Sequence, residues 1–561
     1  MEEIRRAIFT FALQNAVKHR SLPKGGTVMG MVMARYPEFR KRSSEISSLL
    51  PGVLDEVASL SHEERENLLV ELAPELVEEI QRKKTRVKEL PALEGAEKGV
   101  VMRFAPNPSG PLHLGHARAA VLNDAYVRKY GGKYILRIED TDPKRVDTDA
   151  YAMVREDIEW LGISVHEIIY QSDRFDLYYT LAQELIGKGG AYVCTCENEQ
   201  FRELKLAKKP CPCRDGEVET NLGLWQEMLD GEFSEGTASV RVRTDLDHPD
   251  PAMRDYPIFR ILNSPPHPRM EAQVYPLMNF SVAVDDHTLG VTHVIRGKDH
   301  IANTRRQRYI FDYFGWKPPV YRHYGRMSIE GVVLSTSQMR EGIQDGRFQG
   351  WDDIRLGTLR ALARRGIRPQ AVRDAMEEIG IGETDISFSW ENLFAKNRAF
   401  VDPEANRYFF VPDPVEVSIS DAPEQTAHAL LHPGDAERGR RDIHFSGRAL
   451  LPGEEIRDVP GMVRLKDLFN VTLRQEHGIM EFTYGGESLA VAREAGAPII
   501  QWLPPDAAVP CTLVTPAGER QGACEQGART EAGRVVQFER IGFARIDSVS
   551  PEGIIAYFTH K

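Results

Sequence analysis

Over residues 1 to about 85, apolar side chains recur at the spacing of a helix face. Ile4, Ile8 and Phe11 share one stripe, and Ser61 with Glu64, ahead of Leu68, Leu69 and Leu72, has the form of a capping box. This pattern predicts an all-α N-terminal domain. Lys88 to Gly99 (KELPALEGAEKG) is charged, holds Pro and Gly and lacks periodicity, so it reads as a linker with a domain boundary near 97. From Val100 the texture changes to a β-like run (VVMRF), a Pro/Gly loop, a helix expected to start around His116, and a second β-like run, KYILRI, at 133–138. A β-α-β order implies parallel strands joined by a crossover helix, with ligand loops at the strand ends.

Residues 170–260 are mixed, and Tyr275 to Arg296 alternates strand-like runs with turns. Arg355 to Glu378 reads as a basic helical stretch bearing Arg360, Arg364 and Arg365, for which a solvated face is the simplest account. Beyond Tyr408 come short alternating runs such as VEVSI, GIMEFTY and IIAYF, divided by Pro and Gly, which argue for all-β barrels. The expected organisation is a helical domain and linker at 1–96, a Rossmann-like α/β parallel-sheet domain at 97–190 and 261–350, an insertion at 191–260, a helical region at 351–400 and β-barrels at 401–561.

Composition narrows the class of function. With 42% hydrophobic and 27% charged residues, the 561-residue chain has the balance of a globular protein. It has no run of about 18 apolar residues, and charge (Glu2, Glu3, Arg5, Arg6) sits where a secretory signal needs an apolar stretch, so a cytoplasmic location without membrane contact is the default. The net charge of −12 means that any nucleic acid must be held by local basic patches and not by the overall field. Six cysteines are too few for a disulfide framework, yet four of them form CxC, fourteen residues, CxC: Cys194, Cys196, Cys211 and Cys213. Four thiolates suit a closed, structural Zn²⁺ site, against the alternative of four buried free thiols. Cys511 and Cys524 read as ordinary core residues.

The segment RFAPNPSGPLHLGHARAA, 103–120, puts prolines and glycines directly after a strand and before a helix. A helix N-terminus offers free N–H groups to an anion, His113 and His116 lie three apart so that both face one phosphate, and Gly115 leaves room for a nucleotide. Alone, the string also fits two structural histidines. Together with RIEDTDP at 137–143, YPLMNFSVAVDDHTLGVTHVIRGKDH at 275–300 and LSTS at 334–337, however, it resembles the class I aminoacyl-tRNA synthetases, specifically the glutamyl and glutaminyl branch, over roughly residues 100–400. HLGH stands for that family's HIGH motif.

The resemblance implies ATP-dependent activation of an amino acid followed by transfer to tRNA. It puts His113, Gly115 and His116, with Pro106, Asn107 and Ser335, at Mg²⁺-bound ATP, and gives His113, His116, Ser335 and Ser337 the catalytic role. Arg103 would meet the amino acid, Glu139 would bind its ammonium group, and Arg296 would select glutamate, since a guanidinium matches a carboxylate and a carboxamide would leave its charge unpaired. Pairing of Glu139 with a neighbouring arginine is the structural alternative. The resemblance further makes 191–260 an acceptor-end module, assigns Arg360, Arg364 and Arg365 to the inside of the tRNA, and makes the barrels anticodon readers. Expected partners are glutamate and tRNA(Glu), with tRNA(Gln) left open, and a monomer is expected. Two departures stand out. The LSTSQ loop lacks the lysine of the family's KMSKS motif, leaving Arg340 as the nearest cation, and Met278 replaces a pocket tyrosine, so that contact is not carried over. Competing readings are a glutaminyl enzyme, a base-glutamylating paralogue, which would lack the anticodon module, and a catalytically silent RNA-binding protein.

Overall fold

The computed structural model describes residues 2–19, 23, 25–77, 89–457, 461–476 and 479–561. The helical reading of 78–85, Lys88 of the linker reading and Gly478 of the GIMEFTY run fall outside them. The chain divides into two compact units, Met1–Glu89 and Leu90–Lys561.

In the first unit, helices α1 (Glu2–His19), α2 (Gly25–Arg35), α3 (Ser43–Ser59) and α4 (His62–Leu72) enclose their own core. Ile4, Ile8 and Phe11 pack with Val28, Val32, Ile46, Val57 and Leu69. At the start of α4 the Ser61 side chain accepts from the Glu64 N–H, and the Glu64 carboxylate accepts from the Ser61 N–H at 2.8 Å, the capping box read from the sequence.

The second unit begins earlier than the sequence suggests. Residues from Leu90 onward are bound to the α/β body. Leu93 and Ala96 are buried in its core, the Tyr126 hydroxyl donates to the Pro91 carbonyl at 2.9 Å, and His293 Nε2 lies 2.9 Å from the Glu94 carbonyl. The low periodicity of this segment reflects irregular backbone satisfied by tertiary hydrogen bonds and not a free linker.

Strands β1 (Val100–Phe104), β2 (Gly132–Ile138) and β3 (Glu167–Tyr170) are parallel in the order β1-β2-β3, and helix α5 (Leu114–Tyr130) crosses from β1 to β2. An antiparallel four-stranded sheet then carries the insertion: β4 (Ala191–Cys194), β5 (Ser239–Val242), β6 (Pro257–Ile261) and β7 (Val274–Pro276). The chain returns through α6 (Met278–Thr288), β8 (His293–Gly297), α7 (Ile301–Phe314) and β9 (Val320–Tyr324), with β8 and β9 parallel. The Thr292 N–H donates to the Val101 carbonyl at 2.9 Å, which sets β8 beside β1. Loops after β1, β2 and β8 therefore gather at one crevice, the usual ligand position of such sheets.

The basic stretch is two short helices and not one: α8 (Leu359–Arg364) and α9 (Pro369–Ile379), parted by a turn at Gly366 with φ +85°. That glycine sits tight against Val535, Arg545 and Thr559, so a side chain there would clash as well as strain the turn. Beyond Val401 the chain is mostly β. Pro414–Ile500 supplies a six-stranded sheet, while Arg407–Pro412 joins Ala508–His560 in a seven-stranded one, so the chain leaves the second sheet and later rejoins it.

Candidate active site

The corner after β1 is built from the helix start. Helix α5 starts at Leu114, two residues ahead of the sequence estimate, with His113 as its N-cap, because that histidine's own ring does the capping: Nδ1 accepts from the Gly115 N–H at 3.0 Å. His116 Nδ1 in turn accepts from the His113 N–H at 3.4 Å, and the two rings stack 3.8 Å apart. Burial pushes the His113 imidazole down to about 4, and burial together with His113 pushes His116 well below its ordinary value. Both rings are thus neutral near pH 7, and with each Nδ1 accepting, each proton resides on Nε2 as a donor. A Cβ at Gly115 would lie 2.8 Å from His113 Cε1, so the glycine is what lets the ring fold back over the helix start. The loop leading in is held from below, where the buried Asp157 carboxylate accepts from the Leu112 N–H at 2.7 Å. Burial raises Asp157 to about 7, against the lowering effects of that N–H and of Arg360.

The LSTSQ loop lies against the same corner. Val333 bridges Leu356, Ser335 caps the helix Thr336–Gln344, and the Ser335 and Ser337 hydroxyls are 3.0 Å apart. A Cβ on Gly110 would meet Thr336 Cγ2 at 2.8 Å. Arg340 donates to the Ser109 carbonyl and pairs with Asp147 at 2.8 Å, so this cation ties the two loops together.

Across the crevice five charged residues, on or just after β1, β2, α6 and β8, form the second half of the site. The fully buried Asp286 accepts from Arg103 Nε at 3.2 Å and from Arg137 Nη1 at 2.7 Å. Burial alone would raise its carboxyl, but the two guanidinium groups hold it below the usual range. Arg137 also donates to Glu139 at 2.9 Å, and its acidic neighbours outweigh burial and raise it. Glu139 therefore has an arginine partner while keeping about a fifth of its side chain exposed to the crevice. Asn107 donates to the Glu139 carbonyl at 2.9 Å, and the Glu139 N–H donates to Pro106, which joins the loops after β1 and β2.

Arg296 differs from its neighbours. It is 8% exposed and has no carboxylate within ion-pairing distance among the described residues. Its Nη2 donates to Thr304 Oγ1 at 2.6 Å and to Gln307 Oε1 at 2.8 Å. Burial, then repulsion from Arg103, lowers the guanidinium to about 10. Arg296 Nε, Gln307 Nε2 and the Tyr321 hydroxyl are all buried without a hydrogen-bond partner. An uncompensated buried cation ringed by unmet polar atoms is costly unless an anion arrives.

Comparison with known proteins agrees with this chemistry. Residues 99–403 match the family of class I tRNA synthetases (E and Q), catalytic domain, and residues 405–484 and 499–547 match the anti-codon binding domains of the same family. The chain belongs to that family. The synthetase is 63% identical over 559 residues to a glutamate–tRNA ligase of Methanoculleus marisnigri, covering 100% of both chains. It is 60% identical to that of Methanospirillum hungatei over all of both chains, and 48% identical to that of Pyrococcus abyssi, again over 100% of each.

In the synthetase's inserted module the four cysteines converge. Cys194 and Cys211 Sγ are 3.9 Å apart, Cys196 and Cys213 Sγ 3.6 Å, and all four sulfurs lie within 4.8 Å of one another. A tetrahedron with Zn–S bonds of about 2.3 Å has edges of about 3.8 Å, so the donor set and spacing fit zinc. The Cys194 thiol beside it holds Cys211 down to about 5, while Cys194 itself is raised.

The three arginines assigned to tRNA are placed differently. Arg360 pairs with Glu156 at 2.5 Å, and Arg364 pairs with Asp352 at 3.2 Å and lies over Tyr557. Arg365 is 6% exposed and donates to the Phe558 and Thr559 carbonyls, so its guanidinium secures the β region and is not presented to solvent. Sequence reasoning also passed over Asp286, Arg137, Asp157, Thr304 and Gln307. Asp286 lay inside the quoted motif, but nothing in a linear string shows which charges a carboxylate will meet.

Proposed function

We propose that the synthetase is a glutamate–tRNA ligase: it activates glutamate with ATP to glutamyl-adenylate and transfers the acyl group to the 3′ end of tRNA(Glu). The observation that carries this is Arg296, a buried guanidinium lacking an acidic partner, which a side-chain carboxylate completes and a carboxamide leaves charged. The relatives that match over their full length carry the same name.

Glutamate's ammonium group is taken by Glu139, and its α-carboxylate attacks the α-phosphate, releasing pyrophosphate. His113 and His116 donate Nε2–H to the phosphates without carrying charge, and the Ser335 and Ser337 hydroxyls with the N-terminus of their helix face the leaving group, in place of the absent lysine. Mg²⁺ bound with ATP would neutralise phosphate charge. The reaction needs no covalent enzyme intermediate, so positioning supplies most of the acceleration. Cys194, Cys196, Cys211 and Cys213 hold a structural zinc in the module that engages the acceptor end, and the two β sheets read the anticodon loop. Arg360 and Arg364 lie along the tRNA's inner side and exchange their present partners for phosphate, and tRNA(Gln) is a second candidate substrate. Among the described residues no helix is long and apolar enough to cross a membrane. A cytoplasmic, monomeric enzyme is part of the same proposal.

The test is charging of total tRNA with labelled glutamate or glutamine, plus ATP–pyrophosphate exchange in the presence of tRNA. Glutamate alone should be charged, and Arg296→Cys should abolish glutamate-dependent exchange. Charging with glutamine, or full exchange in the variant, would discard the reading.

A further inference from the structure

Arg296 owes its behaviour to the helix behind it. Thr304 and Gln307 are three residues apart on α7 and so share one face, and that face is turned toward β8. Both side chains offer Arg296 a neutral oxygen. The Thr304 hydroxyl proton has an acceptor elsewhere, the His300 carbonyl at 3.2 Å, and His323 Nε2 lies 2.9 Å from the same oxygen, so that oxygen presents a lone pair to the guanidinium. Gln307 is fully buried and, because arginine only donates, must turn Oε1 toward it. The two acceptors consume both protons of Nη2. What remains for a ligand is Nη1 and the unpartnered Nε, beside the unpartnered Gln307 Nε2 and Tyr321 hydroxyl.

We infer that Thr304 and Gln307 are specificity-determining positioning residues: they fix the direction of Arg296 while leaving its charge unneutralised, so that the pocket demands an anionic side chain. A carboxylate at either position would hold the arginine as firmly and would end the demand. The surroundings support this division of labour. Arg103 and Arg137, which are not asked to select, are paired with carboxylates, Arg103 with Asp286 and Arg137 with Asp286 and Glu139, whereas Arg296 faces a neutral hydroxyl oxygen and a neutral amide oxygen in a similarly buried place. This inference rests on the proposed glutamate specificity and deepens it.

The decisive variant is Gln307→Glu, nearly isosteric, measured in the full chain by tRNA-dependent ATP–pyrophosphate exchange. Its KM for glutamate should rise by at least about a hundredfold, because the guanidinium is then paired internally, while the KM for ATP stays within about twofold. The ratio of glutamate to glutamine in kcat/KM should fall by a similar factor. Thr304→Val should raise the KM for glutamate about tenfold, again sparing ATP, through loss of one charge-assisted hydrogen bond. A structural role alone would move both KM values or the melting temperature, and would not alter the ratio between the two amino acids. An unchanged glutamate KM in a Gln307→Glu protein that melts like the parent overturns the inference. If that variant fails to fold, Thr304→Val decides, and an unchanged KM overturns it equally. Should the parent chain itself not charge glutamate, it is the proposed function that fails, which the parent assay shows before any variant is made.

Discussion

At the scale of single residues, the site separates charges that are matched from one that is not. Asp286 ties Arg103 to Arg137, so removing that carboxylate would leave the buried Arg103 without an acidic partner, while Arg137 keeps Glu139, at a cost of about 3–5 kcal/mol. Asp157 illustrates the opposite case, a carboxyl that burial keeps protonated to about pH 7 although its unfolded value is near 3.8. Because the folded value is the higher one, its contribution to stability is fully present below the unfolded value and is lost as pH rises through the folded value. Asp157→Asn should therefore gain on the parent protein by about 3 kcal/mol between pH 5 and pH 8, read from paired thermal melts, and a constant difference would show that Asp157 does not titrate in this window. Of the residues at this scale, Arg296 and Glu139 could be named from the motif strings. Thr304, Gln307 and Asp157 could not, since a threonine or glutamine in a helix looks the same in the sequence whether it faces water or a guanidinium.

At the scale of elements, the start of α5 is a histidine-capped helix end that the proposed function uses as a phosphate seat. The sequence indicated strand, loop and helix in the right order because prolines, glycines and the change of periodicity are local signals. It misplaced the first helical turn because the cap is a histidine, which ordinary capping preferences do not anticipate. Gly115→Ala separates the two roles of this turn. Helix propensity favours alanine by up to about 1 kcal/mol, so the melting temperature should hold or rise, while the displaced His113 ring should cut the exchange rate about a hundredfold. Equal activity in that variant would mean that the ring does not need its folded-back position. The same contrast between local and distant signals explains residues 90–99 and the basic stretch. Charge and low periodicity suggested a loose linker and a solvated helix, but the partners that order these segments, Tyr126 and His293 for one and Phe558 and Thr559 for the other, are far away in the chain.

At the scale of the whole molecule, helical, α/β and all-β regions follow one another as the hydrophobic patterning predicts, and the sheet order places the crevice. What patterning could not reveal is that Arg407–Pro412 belongs to a sheet completed only by Ala508–His560, because strand pairing across a hundred residues leaves no local trace. The cysteine cluster gives a test of the inserted module as a unit. The purified chain should hold about one zinc by atomic absorption, and Cys211→Ser should lose it and speed amide exchange in β4 at least about tenfold. Absence of zinc from the purified parent chain would reassign the cluster.

Helix α8 spans two places already described. At its N-terminal end Thr358 bridges His113, and the Leu359 N–H donates to the Leu112 carbonyl at 2.9 Å; at its C-terminal end Arg365 grips the strand Gly553–His560 at Thr559, 2.8 Å away. Six residues of helix measure about 9 Å, and a rod that short, clamped at both tips, neither stretches nor buckles. On the proposed function, a nucleic acid that shifts the strand Gly553–His560 would therefore be felt at the backbone of His113 through this one short link.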